Sequence, residues 1–247
     1  MITPKLAGAP CPAHRQVGRR PVLWVLIAAF GVCSVLDLLS EALGWDRASD
    51  VFRTLALPLL IGCLFAARPP MTRTIILVVG ALLFSWLGDT LGETGFVVKI
   101  ALFLVAQWFF IAAFWPYRLT SLLRRPLAVF CYATLLVVLV AVLIRPAGSL
   151  ALPVVIYGLS LVTMAILASG LNTWGTIGGL SFVVSDTLLG MKEFYLLPAP
   201  DLMDFVIMLG YLAAEVLLVR AAIDAVRSRE KDDEQSPESP TAADHPA

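Results

Sequence analysis

Apolar runs of about 20 residues recur along the 247-residue chain, and polar or helix-breaking residues punctuate them. The first extends from Pro21 to about Leu43. Later runs cover roughly 52–67, 73–91, 97–115, 126–144, 150–168, 173–190 and 203–222. The breaks are Gly44 to Asp50, Arg68-Pro69-Pro70, Gly92 to Gly95, Pro116 to Pro126, Arg145-Pro146, residues 169–172 and Leu197-Pro198-Ala199-Pro200. An α-helix rises about 1.5 Å per residue and the hydrocarbon layer of a bilayer is about 30 Å thick. Runs of this length therefore predict membrane-spanning helices. The first is too long for the apolar part of a signal peptide and has no AxA-like cleavage site, so it reads as the first span. Pro58 marks a place where the short second span can kink.

The expected architecture is an all-α polytopic bundle of about eight spans within residues 21–222. Residues 1–20 and 223–247 form tails, and the last 20 residues, rich in Glu, Asp, Ser and Pro, read as disordered.

Composition agrees: 59% of residues are hydrophobic and 15% charged, with mean hydropathy +0.87; soluble domains carry about 25% charged residues. Formal net charge is zero, so no basic field invites nucleic acid. The distribution of charge is more informative. With the N-terminus inside, 13 basic residues fall on inner segments and five on outer ones: Arg47, Arg53, Lys99, Arg145 and Lys192. That bias places both termini in the cytoplasm and requires an even number of spans in the cell membrane.

Histidine occurs only at His14 and His245, in the tails, and Cys33, Cys63 and Cys131 are scattered through apolar runs without CxxC spacing. A metal hydrolase within the membrane needs clustered His or Cys ligands, so no metal and no cofactor is expected. A serine–histidine pair is likewise missing from the spans, which disfavours acyl-enzyme chemistry.

Carboxylates inside the spans cost at least about 2.5 kcal/mol each and usually face a cavity or a partner. Five are present: Asp37 and Glu41 in the first span, Asp89 in the third, Asp186 in the seventh and Glu215 in the eighth. Counting along the helices puts Asp89, Asp186, Glu41 and Asp37 in the outer half, at heights shared by Arg53, Lys99 and Tyr211. Asp37 and Glu41 are i,i+4 neighbours on one helix face. Snorkelling to the interface, or pairing with Arg53 or Lys99, is the structural alternative for Asp37, Glu41 and Asp89; Asp37 suits it best. The pattern small–Asp–Thr–Leu occurs twice, as Gly88-Asp89-Thr90-Leu91 and Ser185-Asp186-Thr187-Leu188, 97 residues apart. It suggests a parallel 4+4 repeat and places one aspartate on each of two similarly directed helices.

Carboxyls in an apolar site resist ionisation, and two that share a pocket titrate apart, one serving as acid and the other as base. Asp89 and Asp186 are the candidate pair for metal-free hydrolysis of a lipid within the bilayer.

The segments carrying them resemble a known family. Residues 80–91, GALLFSWLGDTL, are similar to the third-helix signature of the YhhN / TMEM86 family, whose characterised members are lysoplasmalogenases. Residues 178–189, GGLSFVVSDTLL, resemble its seventh-helix signature GAxLFxxSDxLL, and residues 208–218, MLGYLAAEVLL, resemble the last-helix pattern YYxAQxLI. Glu41 falls where that family often has an acid. The likeness spans roughly 22–222. Three positions depart from it: Leu57 stands where many members have Lys, with Arg53 one turn earlier; Gln107 replaces a His; and Glu215 replaces a Gln. The resemblance implies hydrolysis of the vinyl-ether bond of a lysoplasmalogen to a fatty aldehyde and a glycerophospho-alcohol. Asp89 and Asp186 would be the acid–base pair, and Glu41, Arg53, Gln107, Tyr211 and Glu215 would bind or orient the lipid. The competing reading of the same carboxylates is a proton- or solute-coupled transporter. An intramembrane aspartyl protease fits poorly, because the Tyr-Asp and PAL motifs are missing.

Overall fold

The computed structural model describes residues 20–196 and 201–235. Each expected span corresponds to a helix: α1 (Arg20–Ala42), α2 (Asp46–Ala67), α3 (Arg73–Leu91), α4 (Phe96–Phe114), α5 (Pro126–Ala147), α6 (Ala151–Ala168), α7 (Thr173–Glu193) and α8 (Asp201–Gln235). No strand occurs among the described residues. With no water in the hydrocarbon layer, a helix is the element that satisfies its own backbone groups.

Six helical segments are long and apolar enough to cross a membrane. One of them, Pro126–Ala168, runs for 43 residues and contains both α5 and α6, joined by the short 3-10 turn Gly148–Leu150. Helix α7 is not among the six, because Gly, Ser, Thr and Asp dilute its apolar residues. Its 21 residues still give about 31 Å of helix, enough to span.

Helix contacts trace a closed circuit. α1 packs on α2, α2 on α3, α3 on α4, α4 on α6, α6 on α7, α7 on α8, and α8 returns to α1. α5 lies outside this ring, packed chiefly on α6. The core within the ring is built from Leu57 and Leu64 of α2, Ile75 and Leu82 of α3, Phe110 and Phe114 of α4, Met164 of α6, Phe182 of α7 and Leu218 of α8, all fully buried. Outward positions are apolar as well, including Val22, Val25, Val32 and Val35 of α1 and Val137 and Val138 of α5. Apolar residues on both faces suit a bundle solvated by lipid.

Helices pack closest where glycine or serine lines the seam. A Cβ built on Gly88 would lie 2.7 Å from the Phe103 ring, and one on Gly178 would lie 3.0 Å from Leu217 Cβ. On the α7–α8 seam, Ser181 Oγ donates to the Gly210 carbonyl at 2.8 Å and Ser185 Oγ to the Ile207 carbonyl at 2.7 Å. Small residues at these positions let backbones approach, as helix association in membranes requires.

Several element ends differ from those expected: α5 runs through the expected break at Arg145-Pro146 to Ala147 and α7 to Glu193, and two ends differ by more. α2 begins at Asp46 and not near residue 52. Asp46 to Asp50 are polar but compatible with a helix, so hydropathy alone ends the element too early. α8 continues to Gln235, so residues 223–235 are helical where a disordered tail was expected from 223. Arg220 faces Asp224 one turn on at 3.8 Å, while Arg227 donates to the Ala67 carbonyl at 2.6 Å and Arg229 to the Pro116 carbonyl at 3.2 Å. The Arg229 guanidinium also stacks 3.7 Å from the centre of the Tyr117 ring. These contacts hold the extension against the α2–α3 and α4–α5 connections. The tail residues 1–19 and 236–247 lie outside the described residues.

Candidate active site

The site is built at the end of the bundle opposite Arg20, where α1 begins, and Gln235, where α8 ends. A polar cavity of about 440 Å³ opens there, lined by Glu41 of α1, Ser49, Asp50 and Arg53 of α2, Asp89 of α3, Lys99 and Phe103 of α4, Asp186 and Lys192 of α7, and Asp204 and Tyr211 of α8. Asp89 and Asp186 thus share one cavity, as their equal depth on two helices predicts.

Each aspartate is held by a tyrosine. Tyr211 on α8 donates its hydroxyl hydrogen to Asp89 Oδ2 at 2.8 Å, and Tyr157 on α6 donates to Asp186 Oδ2. A hydrogen bond to one carboxyl oxygen limits rotation and leaves the other oxygen to exchange a proton. The rings are fixed in turn: Tyr211 meets Phe103 and Phe182 edge-on, with centroids 5.7 and 5.8 Å apart. Trp86, three residues before Asp89, donates to the Thr54 carbonyl at 2.9 Å and ties α3 to α2.

A second polar group braces α1 against α2. Arg53 pairs with Glu41 and donates to Ser49 Oγ at 2.9 Å. Ser49 Oγ lies 2.7 Å from Glu41 Oε1 and 3.1 Å from Asp37 Oδ1. Asp37 is fully buried at the base of this group, which is a structural position. Across the cavity Lys192 pairs with Asp204. The early start of α2 matters here, because it puts Ser49 and Arg53 one turn apart on the face toward α1.

Of the residues expected to touch substrate, Glu41, Arg53 and Tyr211 line the cavity. Gln107 and Glu215 do not. They follow Phe103 and Tyr211 by four residues, one turn deeper, and both are fully buried. Ser85, four residues before Asp89, is buried at that level too. The helical step of about 6 Å puts this layer beneath the cavity floor, so Gln107 and Glu215 adjoin the site without lining it.

Tyr157 was not anticipated. Its signal was a lone tyrosine inside the apolar run 150–168, a ring whose hydroxyl needs a partner once buried. Tyr157 also bears on the 4+4 repeat. α3–α4 and α7–α8 are matching close pairs, yet Asp89 draws its tyrosine from α8 while Asp186 draws its own from α6. Under the repeat, α8 corresponds to α4, so the tyrosine arrangement does not follow the duplication.

Six helices of a multi-pass membrane bundle line one cavity that holds two tyrosine-bonded carboxyls. The chain belongs to the YhhN family, whose model matches residues 48–222. That stretch includes both aspartates, both tyrosines and Arg53, whereas α1 with Asp37 and Glu41 precedes it. No curated protein and no solved structure matches the chain.

Proposed function

We propose that this protein is a membrane-embedded hydrolase of the vinyl-ether bond in lysoplasmalogen-type ether lipids, using Asp89 and Asp186 as a metal-free acid–base pair. The observation that carries this reading is the sharing of one cavity by two carboxyls, each with one oxygen held by a tyrosine. Family membership supports it.

One aspartic acid transfers its proton to the alkenyl carbon remote from the ether oxygen, and the adjacent carbon becomes an oxocarbenium ion. The other, as carboxylate, takes a proton from water while the water oxygen bonds to that carbon. The resulting hemiacetal collapses to a fatty aldehyde and the glycerophospho-alcohol. One water is consumed and no proton is gained or lost overall. Arg53 and Lys99 act on the charge of Asp89, and Lys192 lines the same cavity, a setting suited to an anionic phosphodiester. Glu41 and Tyr211 orient the lipid from the rim and the floor. The protein sits in the cell membrane with both termini cytoplasmic.

The direct test is aldehyde release by the purified chain from a vinyl-ether lysophospholipid, with the saturated-ether analogue as control. Release that requires the double bond and disappears in Asp89→Asn is expected. If wild type and Asp89→Asn give the same background with every vinyl-ether lipid tried, the hydrolase reading is wrong.

A further inference from the structure

A second space adjoins the polar cavity. It is apolar and narrow, about 40 Å³ against about 440 Å³. Both spaces touch Lys99, Phe103, Asp186 and Leu189, so Asp186 stands at their junction. The apolar walls come from Ile100 of α4, Leu139 and Leu143 of α5, and Val154 and Leu161 of α6. α4 and α5 each pack on α6 but make no broad contact with each other. A seam therefore separates them, floored by α6 and flanked by exposed Val97 and Val98 on α4 and Val138 and Val142 on α5.

Two glycines set its width. A Cβ at Gly158 would lie 3.3 Å from Leu139 Cδ2, and one at Gly190 would lie 3.3 Å from Leu143 Cδ1. Any larger side chain at either position would push an α5 leucine or fill the slot. The outer ends of α5 and α6 accordingly form a small apolar cluster of their own, with Ile100, Leu139, Leu143, Ala147 and Val154, separate from the main core.

We propose that this slot binds the single unbranched hydrocarbon chain of a lysolipid, which enters from the bilayer between α4 and α5. The head group occupies the polar cavity, and the first carbons of the chain lie beside Asp186. Shape and chemistry select the occupant. A slot of about 40 Å³ takes only the carbons next to the head group, the rest of the single chain lying between α4 and α5 toward the bilayer, and its lining offers an alkyl chain about fourfold in affinity for each methylene buried. The adjoining cavity carries Arg53, Lys99 and Lys192 together with Asp50 and Asp204, which suits a head group bearing a phosphate and an ammonium. An amphiphile spanning both spaces has only one register, and that register sets the head-to-chain bond at the junction. The proposed reaction enters this inference only in naming the bond that meets Asp186; the chain site itself stands on the slot.

The experiment uses the full chain in nanodiscs and a saturated-ether lysophosphatidylcholine with a photoreactive diazirine in mid-chain. This probe has no vinyl ether to cleave, so labelling does not depend on turnover. Mass spectrometry is expected to find adducts within 96–103, 139–143 and 154–161, which hold the slot lining. Gly158→Leu and Gly190→Leu should lower that labelling by at least about tenfold, equivalent to losing about two buried methylenes. Adducts confined to outward residues such as Val25 and Val32 of α1 would overturn the proposal, and this wild-type map decides even where a glycine variant does not fold. Undiminished slot labelling in both folded variants would also overturn it. Slot labelling without aldehyde release from any vinyl-ether lipid removes the reaction and leaves the chain site. Aldehyde release without slot labelling does the reverse.

Discussion

At the scale of single residues the site rests on a division of labour within each Asp–Tyr pair. In the proposed reaction the carboxyl exchanges protons, and the phenol holds it by one hydrogen bond. Asp89→Asn and Asp186→Asn should each lower vinyl-ether turnover by at least about 10²-fold, the lower range for general acid–base catalysis. Both variants should fold, because asparagine keeps the shape and removes a group costly to bury. Full turnover in either variant would take that residue out of the mechanism. Tyr157→Phe and Tyr211→Phe keep the ring packing but remove one hydrogen bond to a carboxyl, worth about 1.5–3 kcal/mol when the partner is charged. We expect turnover reduced about tenfold or more, with KM little changed, because the phenols position the carboxyls. A rise in KM with unchanged kcat would instead assign them to lipid binding. Asp37→Asn should be milder than either catalytic change, since Asp37 sits at the base of the α1–α2 brace and outside the cavity lining.

At the scale of elements, close approach of helices is the recurring device. Gly88 faces the Phe103 ring so tightly that a Cβ there would lie 2.7 Å from it, and Phe103 in turn supports Tyr211. Gly88→Val should therefore cost about 1–3 kcal/mol through overpacking and lower thermal stability and turnover together; loss of turnover at unchanged stability would show that α3 and α4 accommodate the side chain. The α8 extension works differently, by reaching across the inner connections. Arg229 carries both a hydrogen bond and a stacking contact with Tyr117. Arg229→Ala should lower the unfolding temperature of the detergent-solubilised protein while leaving kcat unchanged, because the contact lies at the opposite end of the bundle from Asp89 and Asp186. A variant with wild-type stability would show that the clamp contributes nothing.

At the scale of the whole molecule, we expect eight crossings with both termini cytoplasmic, from the distribution of basic residues and a helix for each expected span. A fluorescent C-terminal GFP fusion and an inactive alkaline phosphatase fusion are the expected pair of results; the opposite pair would place the C-terminus outside and overturn this topology. Chelators should leave the activity intact, since the two histidines occur only in the tails and the carboxyls that line the cavity at Asp89, Asp186 and Glu41 are engaged with tyrosine, serine and arginine. Inhibition by EDTA that added metal reverses would replace the acid–base proposal with a metal-assisted one.

Much of this was legible along the chain for a simple reason: a bilayer reads sequence locally. Every 20-residue apolar run must satisfy its own backbone, so helix type and the approximate number of spans follow from hydropathy and breakers. An intramembrane aspartate declares itself by its cost, and the Asp89 and Asp186 motifs carried the family likeness as well. Hydropathy failed where polar residues were nonetheless helical, at Asp46–Asp50 and beyond residue 222, because contacts between helices decide those ends. Which tyrosine holds which aspartate depends on packing that puts α6 beside α7 in the ring and brings α8 against α3 across it, and no spacing along the chain encodes that arrangement. The depth of Gln107 and Glu215, one helical turn below the cavity lining, likewise became visible only with the helices packed. The slot beside Asp186 is the furthest from the sequence. It exists because α5 stands outside the ring and leans on α6, leaving a gap beside α4 that two glycines keep open, and a gap between helices is a property of their packing alone.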